Sequence, residues 1–403
     1  MPPVVLLGTL DTKGAEYAFL RERLRDLGVD VLLVDTGIYD PVGVEPDISR
    51  EEVARAGGAD VTELAAARDR GAAVTSMASG AEQIVTRLYA EHRLAGILAL
   101  GGSGGSSIAT RAMRALPIGL PKLMVSTVAS GDTRPYVGAV DVTMMYSVVD
   151  ISGVNRVSAR IMSNAAGAIA GMVGAAAPEL EAKPLVGATM FGVTTPCVTR
   201  ARERLEELGY EVLVFHATGA GGQSLEALVR DGFLAGVLDA TTTELADELV
   251  GGVLSAGPDR LKAAGAAAVP QVVSLGALDM VNFGPRETVP QQFEGRTLHV
   301  HNPTVTLMRT TPEECSELGR RIGHALSAAK GPTALFVPLK GISTIAVAGQ
   351  PFHDADADAA LFRSLRESLD DSVERCEVDT DINDPEFAVA MADHLHGLIV
   401  GAR

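Results

Sequence analysis

Cysteine is scarce in this sequence, and its three copies are not spaced for a structural role. Cys197, Cys315 and Cys376 form no C-x-x-C pair, so we expect neither a disulfide framework nor a zinc knuckle and predict three buried thiols. Basic residues are also few. Lysine and arginine total 34 against 51 acidic residues, and the net charge of −17 argues against nucleic acid as a partner.

The N-terminus lacks a basic region followed by an apolar stretch, so no signal peptide is predicted and a cytoplasmic location is expected. No segment has the composition of a membrane span. Residues 161–177 carry no charge, but they are mostly alanine and glycine and follow Arg156 and Arg160. We predict a closely packed helix of a soluble protein. Its small residues favour a homodimer, and the alternative is a helix buried within its own domain.

The most informative segment runs from Leu94 to Ser107, where an apolar stretch ends at four glycines and three serines. Residues 97–100 are typical of a buried parallel strand, and residues 108–116 are typical of a helix. At such a turn, glycines let backbone N–H groups converge on a phosphate, and the following helix adds its positive end. The spacing matches neither a Walker A loop nor the dinucleotide fingerprint. A packed or flexible glycine turn is the structural alternative.

Other predicted strands also end in polar segments. Strands are predicted at residues 4–7, 31–34, 123–126 and 140–143, and the first three are followed by residues 8–14, 35–37 and 127–132. Ligand crevices of parallel sheets lie beyond the carboxyl ends of the strands. These segments are therefore predicted to form a site together with the glycine-rich turn.

Helix signals separate these strands. Helices are predicted over residues 17–27, over residues 50–56, from a capping box at Ser79 towards Leu94, and over residues 152–176. In the second half, Thr311–Glu314 has the pattern of a capped helix start, and Asn383 and Asp384 are predicted to cap the last helix.

The sequence also repeats itself. Three matches occur in the same order: residues 21–31 with 202–212, residues 94–98 with 234–238, and residues 125–126 with 273–274. Three matches in register indicate an internal duplication. Strands alternating with amphipathic helices then predict two homologous α/β domains with mainly parallel sheets, at residues 1–180 and 181–403.

The two copies differ where their strands end. Asp35 aligns with His216, and the glycine-rich turn aligns with residues 239–244, which contain carboxylate and hydroxyl groups. Such groups suit acid–base chemistry better than bare phosphate binding, so we predict that the first domain binds nucleotide and the second binds substrate. The alternative is that Thr241 and Glu244 form a capping box. His301 is a further acid–base candidate, and no metal site is expected.

Five motifs together resemble the Tm-one-like ATP-binding family, named for a plant protein that inhibits replication of tomato mosaic virus. They are residues 8–14 (GTLDTKG), 101–107 (GGSGGSS), 239–247 (DATTTELAD), 301–310 (HNPTVTLMRT) and 338–343 (PLKGIS). The resemblance covers essentially the whole chain. It implies two Rossmann-like domains, ATP bound by the first, and a dimer, without a settled reaction. Ala346 departs from the acidic residue that the family pattern leads us to expect.

Carried over by position, the resemblance assigns ATP to the loops that the strand ends had already selected, and we expect Mg²⁺ to accompany the nucleotide. The implied nucleotide-binding residues are Gly8, Thr9, Asp11, Thr12, Lys13, Asp35, Thr36, Gly37, Gly101, Gly102, Ser103, Gly104, Gly105, Ser106, Ser126, Thr127, Ser130, Gly131 and Asp132. In this scheme Lys13 offsets phosphate charge, and Asp11 or Asp132 holds Mg²⁺.

Three functions are compatible with these features. The first is an enzyme that uses ATP–Mg²⁺, in a cleft between the domains, on a small polar carboxylate or keto metabolite, with His216, Glu244 and His301 as catalytic groups. The second is a binding module that ATP stabilises without turnover. The third is a hydrolase or lyase that acts through the second domain without ATP.

Overall fold

The computed structural model describes residues 2–176 and 182–402. The chain divides into two compact units, residues 1–179 and 180–403. The boundary predicted between residues 180 and 181 lies outside the described residues, as does Ala177 at the end of the predicted small-residue helix. Within the described ranges, no helix combines the length and apolarity needed to cross a membrane.

The first unit is built on a parallel five-stranded sheet with the strand order β2-β1-β3-β4-β5. Its strands are β1 (Val4–Gly8), β2 (Val31–Asp35), β3 (Gly96–Gly101), β4 (Lys122–Ser126) and β5 (Thr143–Tyr146). Its helices are α1 (Leu10–Asp26), α2 (Arg50–Ala56), α3 (Val61–Ala67), α4 (Arg70–Ala90), α5 (Ser103–Arg114), α6 (Arg134–Val137) and α7 (Arg156–Gly174).

Both faces of this sheet are covered by helices, which explains why the middle residues of its central strands are apolar. On one face, Ile84 of α4 and Met113 of α5 belong to the core cluster that contains Leu7. On the other face, Leu20 of α1 and Ile169 of α7 belong to the cluster that contains Leu6. The polar side chains at the strand ends are therefore the groups of this sheet that can contact a ligand.

Several boundaries in the first unit differ from the sequence-based expectation. Helix α4 begins at Arg70, because Asp69 caps it by accepting a hydrogen bond from Ala72 N at 3.0 Å. Ser79 therefore lies inside a helix, and the predicted capping box there is wrong. The strand predicted at 140–143 lies at 143–146. Helices α1 and α5 begin directly after β1 and β3, so most of the two predicted loops forms first helical turns.

The second unit contains a parallel six-stranded sheet with the order β14-β13-β9-β8-β6-β7 and a three-stranded antiparallel sheet with the order β10-β12-β11. Its strands are β6 (Leu185–Met190), β7 (Glu211–His216), β8 (Leu234–Thr241), β9 (Gln271–Gly276), β10 (Met280–Phe283), β11 (Leu298–Asn302), β12 (Val305–Arg309), β13 (Thr333–Pro338) and β14 (Glu374–Val378). Its helices are α8 (Thr195–Glu207), α9 (Ala220–Arg230), α10 (Glu244–Val250), α11 (Ala263–Ala266), α12 (Pro312–Ser327), α13 (Ala355–Ser368) and α14 (Pro385–Gly401).

Strand order supports the duplication. The first four strands of each unit have the same arrangement, β2-β1-β3-β4 in one and β7-β6-β8-β9 in the other. The predicted fold class, two homologous Rossmann-like domains with mainly parallel sheets, is confirmed. The antiparallel sheet, which carries His299 and His301 on β11, was not predicted from the sequence.

Three local expectations can be checked in the second unit. Thr311 and Glu314 form the predicted capping box of α12. Asp384 caps α14, whereas Asn383 does not: its amide donates to the carbonyl of Val193, and its Oδ1 accepts from Cys197 N at 3.3 Å in the first turn of α8. Cys197 and Cys315 are buried, but Cys376 is only partly buried on β14, so the expectation of three buried thiols is wrong for this residue.

Candidate functional site

A cavity of about 800 Å³ opens in the first unit, beyond the carboxyl ends of β1, β2 and β3. This is the expected place for a ligand in a parallel sheet. The sequence-predicted residues that line it are Thr9, Asp11, Thr12, Lys13, Thr36, Gly37, Gly101, Gly102, Ser103, Gly104, Gly105 and Thr127. The structure thus brings residues from all four predicted segments to one cavity. The other predicted residues, Gly8, Asp35, Ser106, Ser126, Ser130, Gly131 and Asp132, are not part of its lining.

The start of α5 is open at this cavity. Gly102 occupies the N-cap position and has no side chain to satisfy the first backbone N–H groups of the helix. Those groups have no partner within a helix, so the first turn is a site where an anion is stabilised. A Cβ added at Gly104 would lie 3.4 Å from Arg70 Nη2, its nearest neighbour. Side-chain atoms at Gly104 would therefore fit without a severe clash but would occupy cavity space.

Gly101 has a different role from Gly104. A Cβ added at Gly101 would lie 3.0 Å from Gly105 Cα, which is closer than real Cβ contacts allow without movement. Added Cβ atoms at Gly102 and Gly105 would meet nothing nearer than 3.7 Å. Packing therefore explains why residue 101 is glycine, but it does not explain the glycines at 102, 104 and 105.

Two arginines that were not predicted from the sequence also line the cavity. Arg68 and Arg70 flank Asp69, the N-cap of α4, and both are exposed. Within the described chain, neither guanidinium has an ion pair. An Asp followed by a helical stretch was the signal that could have located this helix start. Residues 40–75 as a whole are acidic and rich in loop-forming residues, which obscured this signal.

Lys13 and Asp11 are held by neighbouring backbone. The Lys13 ammonium donates to the carbonyl of Ile151. Asp11 Oδ2 accepts hydrogen bonds from the N–H groups of Ile38 at 3.1 Å and Tyr39 at 3.2 Å. Its other oxygen, Oδ1, is buried and has no hydrogen-bond partner among the described residues. Asp11 therefore organises the loop after β2 and leaves one buried oxygen without a hydrogen bond.

Asp35 lies beneath this loop. Its Oδ1 accepts hydrogen bonds from Leu10 N at 3.1 Å and Gly37 N at 2.8 Å, which ties the start of α1 to the end of β2. Burial raises the pKa of Asp35, although the two backbone donors oppose that shift. The Thr36 hydroxyl beside it is buried and has no hydrogen-bond partner in the described chain.

The remaining predicted residues lie apart from the cavity. Ser106 and Ser126 are buried and hydrogen-bonded to each other through their hydroxyls at 2.6 Å, which connects α5 to β4. Asp132 pairs with Arg134 on the surface, with a 2.7 Å contact between Oδ2 and Nη2. Hydrogen bonds from Arg134 lower the pKa of Asp132 to about 2.

The cavity also has an apolar side. Tyr39 is 54% exposed and lines the cavity, and Ile38, Val74, Met77 and Ile108 lie in the same lining. An exposed aromatic ring beside aliphatic side chains provides a flat surface for a planar ring. The cavity thus combines a polar helix start with an apolar wall.

In the second unit, the side chain of Glu244 lies at the start of α9. Its Oε1 accepts hydrogen bonds from Gly219 N at 2.7 Å and Gly222 N at 3.0 Å, at the beginning of α9. Arg260 Nε donates to Glu244 Oε2 at 2.6 Å, and Arg260 also contacts Asp239. Glu244 and Arg260 are buried. The Glu244 carboxylate is therefore an internal anion, and it caps α9 instead of forming the predicted capping box with Thr241.

The two catalytic histidine candidates lie on other elements. His216 is the last residue of β7, and His301 lies on β11; both are exposed. Among the described residues, no hydrogen bond, ion pair or ring contact links any two of His216, His301 and Glu244. The structure does not bring these three residues into direct contact.

Two other buried acids in the second unit have strongly shifted pKa values. Asp279 Oδ2 accepts a hydrogen bond from the Ser343 hydroxyl at 2.8 Å, and burial raises its pKa to about 6. Asp247 bonds to the side-chain amide of Asn282 at 2.7 Å, and burial raises its pKa to about 7. Burial favours the neutral acid at both positions.

Fold and site together define a duplicated α/β protein with parallel sheets and a cavity at the strand ends of its first unit. Residues 2–178 match the N-terminal domain model of an uncharacterised protein family, UPF0261, and residues 183–399 match the C-terminal domain model of the same family. The chain therefore belongs to the UPF0261 family.

Individual relatives agree with this assignment. A UPF0261 protein of Clostridium tetani is 56% identical over 97% of this chain and 98% of its own length. A UPF0261 protein of Mesorhizobium japonicum is 46% identical over 98% of this chain and 99% of its own length. The ToMV resistance protein Tm-1(GCR237) of Solanum lycopersicum is 43% identical over 97% of this chain, which spans 55% of the tomato protein. The resemblance to the Tm-1-like family is confirmed.

Solved structures add no further argument. The glycosyltransferase SsfS6 of Streptomyces sp. SF2575 is 14% identical over 68% of this chain and 82% of its own, with a TM-score of 0.21.

The buried acid Asp247 predicts a pH dependence of stability. Its pKa rises from 3.8 to about 7 on folding, so the folded state binds the extra proton and loses stability as pH rises between these values. Between these pH values, the contribution of Asp247 to the free energy of unfolding falls by about 1.4 kcal/mol per pH unit. We expect Asp247→Asn, measured by chemical denaturation from pH 5 to pH 7, to lose this slope relative to the wild type.

The surface variant Asp371→Asn is the matched control, because Asp371 is exposed. It should follow the wild-type pH dependence. Parallel curves for the wild type and Asp247→Asn would show that Asp247 is ionised in the fold throughout this range.

Proposed function

We propose that this protein binds ATP with Mg²⁺ in the cavity of its first unit, with the phosphates at the start of α5. The observation that carries the proposal is the space at Gly102, Gly104 and Gly105. An added Cβ at these positions would meet no atom closer than 3.4 Å, so packing does not require glycine there. Their lack of side chains instead keeps the first helical turn accessible to a ligand.

Phosphate is the anion that suits this arrangement. Backbone N–H groups at the helix start would donate to phosphate oxygens, and the helix dipole favours negative charge at the same place. Arg68 and Arg70 line the cavity and provide positive charge. Arginine is suited to this role because its fork of N–H groups matches two phosphate oxygens.

Asp11 would supply the carboxylate for Mg²⁺. One of its oxygens is fixed by the loop after β2, and the buried Oδ1 has no hydrogen-bond partner in the described chain. Magnesium beside phosphates is usually held by one or two carboxylates together with water. Asp132, the other candidate, lies outside the cavity lining and is paired with Arg134. When bound, the ion would neutralise phosphate charge.

The apolar wall would hold the base. Tyr39 presents an exposed ring, and Ile38 and Ile108 lie in the same lining. A purine could stack on the Tyr39 ring, and the aliphatic residues would exclude water from its other surfaces. The volume of about 800 Å³ is within the usual range for sites that bind small molecules.

We further propose that ATP acts mainly as a bound ligand that stabilises the first unit. Glu244 is held inside an ion pair with Arg260, and His216 and His301 are exposed on separate strands. This placement supports a binding module more than an enzyme. Phosphate release from ATP in the presence of carboxylic or keto acids would instead support the enzyme and restore a substrate role for the second unit.

We also propose a homodimer through α7. One side of this helix packs on the sheet through Met162 and Ile169. The other side exposes Gly167, Gly171 and Gly174, and a Cβ added at any of them would have no neighbour within 4 Å. A surface without side chains lets a second helix approach closely, which supports the contact with another copy.

Replacing Gly104 tests the nucleotide site. Gly104→Val should fold normally, but its side chain would cover the start of α5 and lower Mg–ATP affinity at least tenfold. Each lost hydrogen bond to a charged group is worth about 1.5–3 kcal/mol. Calorimetric titration measures the change. Gly397→Val is the control, because it makes the same substitution in a helix, at an exposed position with no neighbour within 4 Å.

Arg70→Gln provides an independent test of the same site. It should also weaken Mg–ATP binding about tenfold, because it removes a charged donor. The exposed Arg93→Gln variant is the control. Wild-type affinity in both Gly104→Val and Arg70→Gln would refute the proposed site.

The proposed homodimer can be tested by the mass of the protein in solution. The wild type should have the mass of a dimer in light scattering at micromolar concentration, and Gly171→Glu should be a monomer because it places an unpaired charge in the contact. Gly397→Glu should remain a dimer. A monomeric wild type would contradict the proposal.

A further inference from the structure

Three side chains converge between the edge strand β14 and helix α14 in the second unit. Glu374 and Cys376 lie two residues apart on β14, so they face the same side of the strand. His394 comes from α14. One ligand atom from each of the three lies within 4.8 Å of the others. We propose that these residues form a binding site for a zinc-class divalent metal ion.

Two of the separations, each to a different oxygen of Glu374, are close to the edge lengths of a metal coordination shell. His394 Nε2 lies 3.3 Å from Glu374 Oε2, and Cys376 Sγ lies 3.8 Å from Glu374 Oε1. Tetrahedral zinc with bonds of about 2.1 Å to nitrogen and oxygen and about 2.3 Å to sulfur gives ligand separations of roughly 3.4–3.6 Å. All three ligand atoms lie within 4.8 Å of one another, so shifts of about 1 Å would bring them to these separations.

His394 is oriented towards this point. Its Nε2 is shielded from solvent, yet it makes no hydrogen bond to a described residue, although the Glu374 carboxylate is 3.3 Å away. The ring packs edge-on against Phe336, with centroids 5.4 Å apart. The aromatic contact fixes the imidazole plane, and a metal ion would satisfy the otherwise unpaired nitrogen.

The charge and chemistry of the set select the ion. A thiolate, a carboxylate and a neutral imidazole sum to two negative charges, which a divalent cation balances. Sulfur and imidazole ligands favour zinc over magnesium or calcium, which prefer oxygen. Nearby positive charge does not compete, because Arg375 is on the opposite side of β14 and pairs with Glu377.

The site has room for a fourth ligand and would connect two elements. The Glu374 side chain is 59% exposed, so one side of the cluster is open to water. Three protein ligands plus water is a common zinc arrangement. Bound metal would tie the edge strand β14 to α14 and stabilise the second unit. No sequence motif indicated this site, because the ligands come from a strand and a helix instead of a cysteine motif.

Cobalt substitution tests the site directly. Full-length protein treated with a chelator and then titrated with Co²⁺ should develop a thiolate-to-cobalt charge-transfer band that saturates at one ion per chain and disappears when Zn²⁺ is added. Cys376→Ser should lose the band. Glu374→Gln and His394→Gln should weaken Zn²⁺ binding at least about tenfold. His92→Gln, which removes an exposed histidine of the first unit, should behave like the wild type.

Thermal unfolding supplies a second readout that does not depend on colour. Zn²⁺ should raise the unfolding midpoint of the wild type and of His92→Gln, because binding to the folded state stabilises it, and it should raise that of Glu374→Gln much less at the same concentration. Glu374 is exposed, so this variant should fold even if Cys376→Ser does not. Absence of the cobalt band in the wild type, or an equal band in Cys376→Ser, would overturn the proposal.

Discussion

An uncapped helix start is the feature on which the candidate site depends. Helix α5 follows β3 with Gly102 at its N-cap, and no side chain satisfies its first backbone N–H groups. Such groups need water or an anion as a partner. The surrounding residues keep this turn open. Asp11 and Asp35 hold the neighbouring loop by accepting backbone hydrogen bonds, and Arg70 lies beside the turn.

In the second unit, a comparable helix start binds a carboxylate of the protein itself. At the start of α9, the Glu244 carboxylate accepts hydrogen bonds from Gly219 and Gly222, and Arg260 balances its charge. A Cβ added at Gly222 would lie only 2.1 Å from that carboxylate, so this glycine is required by packing. The glycines at the start of α5 have no such neighbour. This contrast is the structural reason for proposing an external anion in the first unit.

Much of the fold followed from the sequence, because buried parallel strands and repeated segments leave strong local patterns. The ends of β1 to β4 were located to within one residue, and the glycine-rich turn was identified, because composition alone marks them. Arg70 was missed because its position in the cavity depends on where α4 begins. The role of Glu244 could not be predicted, because its partner Arg260 is distant in sequence and only the fold brings them together. Cys376 was misjudged because an edge strand leaves one side uncovered.

Hydrogen exchange of the full-length protein with Mg–ATP tests the central claim most directly. Phosphate at the start of α5 should slow exchange of the amides at residues 102–105, and adenosine, which lacks phosphate, should protect them much less. Equal protection by ATP and adenosine, or protection by ATP that leaves residues 102–105 unchanged, would contradict the account.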